Sequence, residues 1–130
     1  MDHGVVILHP GKDKPVRQGH PWVFSGAIAK GPATDVVGMI VDVLDSKKQF
    51  LARGYYNPHS QIRVRVLTTN QSEMIDANFI RDRIVRSILR RKAIFEDGST
   101  DSARLVAHES DLLPGLIVDK YGRWISFQIV

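Results

Sequence analysis

The hydrophobic positions of this chain change period once, near residue 70. Before that point, short apolar runs are separated by Gly/Pro breaks. Val5-Val6-Ile7-Leu8 reads as a strand closed by Pro10-Gly11. Lys12 to Gly19 is polar and basic, and Pro15 excludes a central strand there. His20-Pro21-Trp22-Val23-Phe24-Ser25 predicts a short helical turn with Pro21 at its first position, Trp22 and Phe24 anchoring the core. Gly38 to Leu44 and Gln49 to Tyr56 flank the polar turn Asp45-Ser46-Lys47-Lys48, the pattern of a β-hairpin. Ile62-Arg63-Val64-Arg65-Val66 alternates without a fault, which sends the apolar side chains to one face and both arginines to the other. Strands this short and closely spaced predict a small β-barrel over Val5 to Leu67.

Beyond the polar stretch Thr68 to Glu73 the period becomes helical. Ile80, Ile84 and Ile88 recur every four residues and Phe95 joins their stripe, with Asp76 as N-cap and Gly98 as stop. The helix is expected from about Asp76 to about Phe95. Leu105-Val106 follows, and then Leu116-Ile117-Val118 and Trp124 to Val130 flank a turn in which Gly122 can take positive φ. The expected fold class is mainly β with α, divided as a barrel over 1–70 and a helix-plus-hairpin segment over 71–130. The run Phe127-Gln128-Ile129-Val130 leads us to expect a piece of a longer polypeptide. It also leads us to expect homo-oligomers formed through this exposed C-terminal strand.

Composition narrows the class without deciding it. A length of 130 residues suits one domain, or one small domain with part of another. With 43% hydrophobic and 25% charged residues the chain has globular composition, and no apolar run approaches bilayer length. No membrane partner is therefore expected. The absence of cysteine excludes disulfides and thiolate metal sites and favours the cytoplasm. A formal charge of +4 permits a polyanionic partner without requiring one.

Candidate chemistry is sparse. The glycines are scattered singly, so no Gly-rich loop for a phosphate or adenosylmethionine is expected, and the five histidines lack metal-ligand spacing. Glu109 and Asp111 read as carboxylates of a solvated loop. Three basic groups remain: Lys12, Lys14 and Arg17 in the loop before HPWVF; Arg63 and Arg65 with Arg53 on the preceding strand; and Arg83, Arg86 and Arg90 on the helix. The helix stripe is read as the solvated face any amphipathic helix needs. An exposed Trp22 would be able to stack on a base.

The segments HPWVFSGAI (20–28), FLARGYYNP (50–58) and SQIRVRV (60–66) resemble the N-terminal PUA domain of the RlmI-like ribosomal RNA methyltransferases. Arg104-Leu105-Val106, Glu109-Ser110-Asp111 and LPGLIVDKYG (113–122) resemble the segment that follows it there. The resemblance implies a PUA-like barrel, the start of a small central domain, and a later Rossmann-like domain. That last domain would bind S-adenosylmethionine and methylate cytosine C5 in large-subunit ribosomal RNA. This chain would hold neither cofactor nor catalytic residues, and would contribute RNA binding. PUA domains bind RNA around their first helix and an adjoining strand edge, which maps here to Lys12, Lys14, Arg17, His20 and the Arg63/Arg65 face, with Arg53 beside it. Two alternatives are a stand-alone PUA-type RNA-binding or ribosome-associated protein without catalysis, and a barrel with a purely structural role. The family usually has glycine where His108 and Leu112 stand, so their loop is expected to be built differently here.

Overall fold

β-Branched residues at alternate positions build the first of two units, which divide at Ile75/Asp76 in a computed structural model describing residues 4–129. Its elements are β1 (Gly4–Leu8), α1 (Lys14–Arg17), β2 (Trp22–Phe24), a 3-10 turn Ser25–Ala27, β3 (Ile28–Lys30), β4 (Ile40–Leu44), β5 (Phe50–Tyr56) and β6 (Ile62–Thr68). They form one curled sheet, a half-barrel, in the order β2-β6-β5-β4-β1-β3. Among the described residues only β1 and β4 run parallel. Val6, Leu8, Val23, Val41, Val43 and Val64 point inward and are essentially inaccessible, and Val16 of α1 closes over them.

The expected mainly-β fold is present, with local differences. Pro15 sits inside α1, within its first turn, where its missing N–H costs nothing. Trp22–Phe24 is a strand and not a helical turn, because Trp22 pairs with Arg65 and Val23 with Val64; the helical turn comes one step later. Of the three residues assigned to the inner face of β6, Val64 is fully buried while Ile62 and Val66 are half-buried. The β4–β5 hairpin is closed by Asp45, whose Oδ1 accepts from the Lys47 and Gln49 amides at 2.9 and 2.8 Å.

The second unit holds α2 (Ala77–Arg90), α3 (Lys92–Phe95) and the antiparallel strands β7 (Ser102–Ala107), β8 (Leu116–Tyr121) and β9 (Trp124–Ile129), in the order β7-β8-β9. Asp76 caps α2 as expected, accepting from the Phe79 amide at 2.9 Å. The single predicted helix breaks at Arg91. Its buried face is rotated from the isoleucine stripe: Phe79 and Ser87 are buried, whereas Ile88 is 42% exposed. Ser87 tolerates burial because its hydroxyl donates to the Arg83 carbonyl at 3.0 Å.

The loop after β7 also differs from expectation. A 3-10 turn over His108–Asp111 keeps His108 and Leu112 in the left-handed region, at φ 48° and 59°, where glycine is favoured. Asp111 is not a solvated carboxylate. It is 4% exposed and ion-paired to Arg90 and Arg91, each at 2.6 Å, and accepts from the Ala107 amide at 2.7 Å. Burial pushes its pKa up, but the hydrogen bonds from Arg91 and Arg90 outweigh that and hold it far below the usual carboxylate range.

Candidate nucleic-acid interface

The outward face of the curled sheet combines cations with aromatic rings. Antiparallel register puts Trp22 opposite Arg65, and Arg65 opposite Tyr55, so one row crosses β2, β6 and β5 on the side away from the core. Val23, Val64 and Tyr56 occupy the neighbouring row and are buried, which fixes the facing of the first row. The Arg65 guanidinium lies 5.6 Å from the Trp22 ring centroid, a cation–π contact. Arg63, two residues away on the same strand, shares this face and donates to the Pro58 carbonyl.

Trp22 and Phe24 are not the core anchors their size predicts. Val23 between them takes that role, while Trp22 is half-buried and Phe24 is 47% exposed. With His20 they form a mutual edge-to-face group: centroids are 6.0 Å apart for His20–Trp22, 6.1 Å for His20–Phe24 and 6.2 Å for Trp22–Phe24. The Trp22 amide donates to His20 Nδ1 at 3.1 Å. A cleft of about 190 Å³ opens beside this group and is lined by Lys12, Pro15, His20, Trp22 and Phe24 among others. Strand alternation in HPWVF was the available signal for the outward aromatic pair.

The seven expected site residues therefore separate. Lys12, His20 and Arg65 gather around Trp22, with Arg63 along the same strand. Lys14 is exposed on α1. Arg17 is already matched by acids, at 2.6 Å from Asp13 and 2.9 Å from Asp45. The hydrogen bond and charge of that pair lower the Asp13 pKa and raise that of Arg17.

Arg53 lies away from the expected surface. It is 6% exposed, pairs with Asp42 at 2.6 Å, and donates to the carbonyls of Gln71 (3.0 Å) and Glu73. These bonds tie Gln71 and Glu73, in the segment that follows β6 within the first unit, to β5. On the helix, Arg83 donates to the Leu112 carbonyl and sits 4.1 Å from the Phe79 ring centroid, and Arg90 serves Asp111.

Among the described residues no group of three or more His, Asp or Glu could hold a metal, and no helix is long and apolar enough to cross a membrane. The glycines at positive φ among the described residues are Gly11, Gly19, Gly38, Gly98, Gly115 and Gly122, each in a turn of its own.

The curled sheet coincides with the stretch that matches a family model: residues 6–69 match the PUA-like domain. Beyond it, the chain is related in sequence to ribosomal RNA large subunit methyltransferase I. It is 43% identical over 125 residues to the protein of that name from Alteromonas mediterranea and 39% identical to that from Citrobacter koseri. Each match covers 96% of this chain and 32% of the relative, so the chain spans about a third of the length of the curated relatives it matches. Among solved structures, a putative SAM-dependent methyltransferase from Streptococcus mutans shares the fold with a TM-score of 0.78 at 15% identity, over 95% of this chain and 32% of that one. A putative methyltransferase complexed with SAH gives the same TM-score at 17% identity, over 98% of this chain and 32% of its own.

Proposed function

We propose that this chain is the RNA-recognition part of a ribosomal RNA (cytosine-C5) methyltransferase, working in the cytoplasm. Residues 1–70 are the PUA-like RNA-binding domain, and residues 71–130 are the connecting helix and first strands of a central domain. Large-subunit ribosomal RNA is the partner. The barrel positions it for methyl transfer from S-adenosylmethionine by residues outside this chain. The observation that carries the reading is the outward row Trp22–Arg65–Tyr55 with Arg63 beside it and Lys12 at its margin. Guanidinium groups grip phosphate oxygens while aromatic faces accept unpaired bases, and this combination suits a structured RNA with exposed nucleotides.

The test is a salt titration of affinity for ribosomal RNA fragments. If Lys12, Lys14, Arg63 and Arg65 each neutralise one phosphate of unpaired RNA, log affinity falls with log salt at a slope of about −3. Replacing Arg63 and Arg65 together by Ala flattens the slope by about 1 to 1.5. Circular dichroism checks that the variant folds. A folded double variant with an unchanged slope, or a wild-type chain that ignores RNA, overturns the reading in favour of a structural barrel.

A further inference from the structure

The segment between β6 and α2 belongs to no strand or helix, yet most of it is bonded. Register sets Arg53 opposite Thr68, the last residue of β6, so its guanidinium lies where the chain leaves the sheet. Arg53 Nε donates to Asp42 Oδ1 at 2.6 Å, and Nη1 donates to the Gln71 carbonyl at 3.0 Å and to that of Glu73. A segment that merely crossed the surface would leave its carbonyls to water. It would need no cation withdrawn from solvent to 6% exposure.

The same segment also bonds to itself. The Asn70 amide donates to Thr68 Oγ1 at 3.1 Å, the Ser72 amide to Asn70 Oδ1 at 3.0 Å, and the Glu73 amide to the Asn70 carbonyl at 3.1 Å. The Thr68 hydroxyl donates to the Glu73 carboxylate. Order then resumes at Asp76, whose side chain caps α2. Among the described residues, Met74 and Ile75 enter none of these bonds, and Met74 is 62% exposed.

We propose that Arg53 is a clasp: it holds the chain to the first unit as far as Glu73 and confines the pliant joint before α2 to Met74 and Ile75. The consequence is a short tether. Unclasped, the chain from Thr69 to Ile75 would reach about 24 Å at full extension, against about 7 Å for Met74 and Ile75 alone. A shorter tether narrows the volume that the segment beyond it explores.

Backbone ¹⁵N relaxation and amide hydrogen exchange on the intact chain test this. In the wild type, order parameters should stay near about 0.85 through Glu73 and fall below about 0.6 at Met74 and Ile75. Arg53→Lys keeps a charge beside Asp42 but loses the planar fork that also reaches the carbonyls. Exchange at Asn70, Ser72 and Glu73 should then quicken by about tenfold or more. Order parameters there should fall to that of Met74, while those of β4 and β5 keep their wild-type values. Mobility spread evenly from Thr69 to Ile75 in the wild type overturns the clasp, and that measurement needs no variant. An Arg53→Lys segment as ordered as the wild type overturns it too. So does loss of order throughout β4 and β5, which would make Arg53 a support for the sheet alone.

Discussion

Gly54 lies directly against the backbone of Arg65: a β-carbon on Gly54 would fall 2.1 Å from the Arg65 carbonyl oxygen and 2.9 Å from Val66 Cα. The obstacle is main chain in the partner strand, so no side-chain rotation relieves it. Gly54→Ala should separate β5 from β6, the strand that carries Arg63 and Arg65, at a cost of about 3 kcal/mol. Urea denaturation reads the loss as a lower midpoint, and a midpoint within error of wild type would contradict the packing.

Arg53 should behave as a structural cation. Arg53→Ala removes the ion pair with Asp42 and the hydrogen bonds to the Gln71 and Glu73 carbonyls, a loss of about 3 kcal/mol for a buried pair. Arg53→Lys should recover only part of this, because an ammonium lacks the planar fork that serves Asp42 and the carbonyls together. In whatever fraction stays folded, the salt slope for RNA should be that of wild type. A flattened slope in folded Arg53→Ala would return this residue to the RNA surface.

How far the sequence reveals these arrangements depends on whether a residue's task is local. The hairpin turn at Asp45, the N-cap at Asp76 and the alternation of β6 follow from neighbours a few positions away, and all three are legible in the sequence. Arg53 is different. Its partners come from 11 residues upstream on β4 and 18 to 20 residues downstream, and nothing local distinguishes it from Arg63. Size misleads at HPWVF, where the smaller Val23 takes the core and the larger rings on either side face outward. The same holds on α2, where Ser87 faces inward because its hydroxyl is satisfied by its own helix.

Asp111 should make the second unit acid-sensitive. Its folded pKa lies below the unfolded value of 3.8, so its contribution to stability is fully present above that value and is lost as pH falls through the folded pKa. Stability of the second unit should be level from neutral pH to about pH 5 and decline steadily below it. Asp111→Asn should lower stability at pH 7 by about 2–3 kcal/mol, since Arg91 loses its buried counter-charge, and should flatten the acid limb. Thermal melts of both proteins between neutral and acidic pH check this, and parallel acid limbs would assign the sensitivity elsewhere.

The helix arginines should affect stability more than RNA binding. Arg83 and Arg90 are engaged within the second unit by the Leu112 carbonyl and by Asp111, and Arg86 is exposed. The triple variant Arg83→Ala, Arg86→Ala, Arg90→Ala should lower the denaturation midpoint while changing the salt slope by less than the Arg63/Arg65 pair does. A larger slope change from the helix variant would move the RNA contact to α2.

The last prediction concerns β9, the edge strand of the second sheet. Ile125, Phe127 and Ile129 alternate onto one face, opposite Lys120, Val118 and Leu116 of β8, and are 52%, 70% and 82% exposed. An exposed edge strand with an apolar face is a template for pairing with a second copy of itself. Sedimentation should therefore show a species that grows with concentration, formed by this chain alone and insensitive to moderate salt, because its driving force is apolar burial and backbone pairing. Phe127→Lys places a charge on the edge, which natural sheets use to block such pairing, and should return the chain to monomer. Since Phe127 is mostly exposed, folding stability should change by no more than about 0.5 kcal/mol. A wild-type chain that stays monomeric at high concentration, or a Phe127→Lys variant that associates equally well, would rule out this strand as the contact.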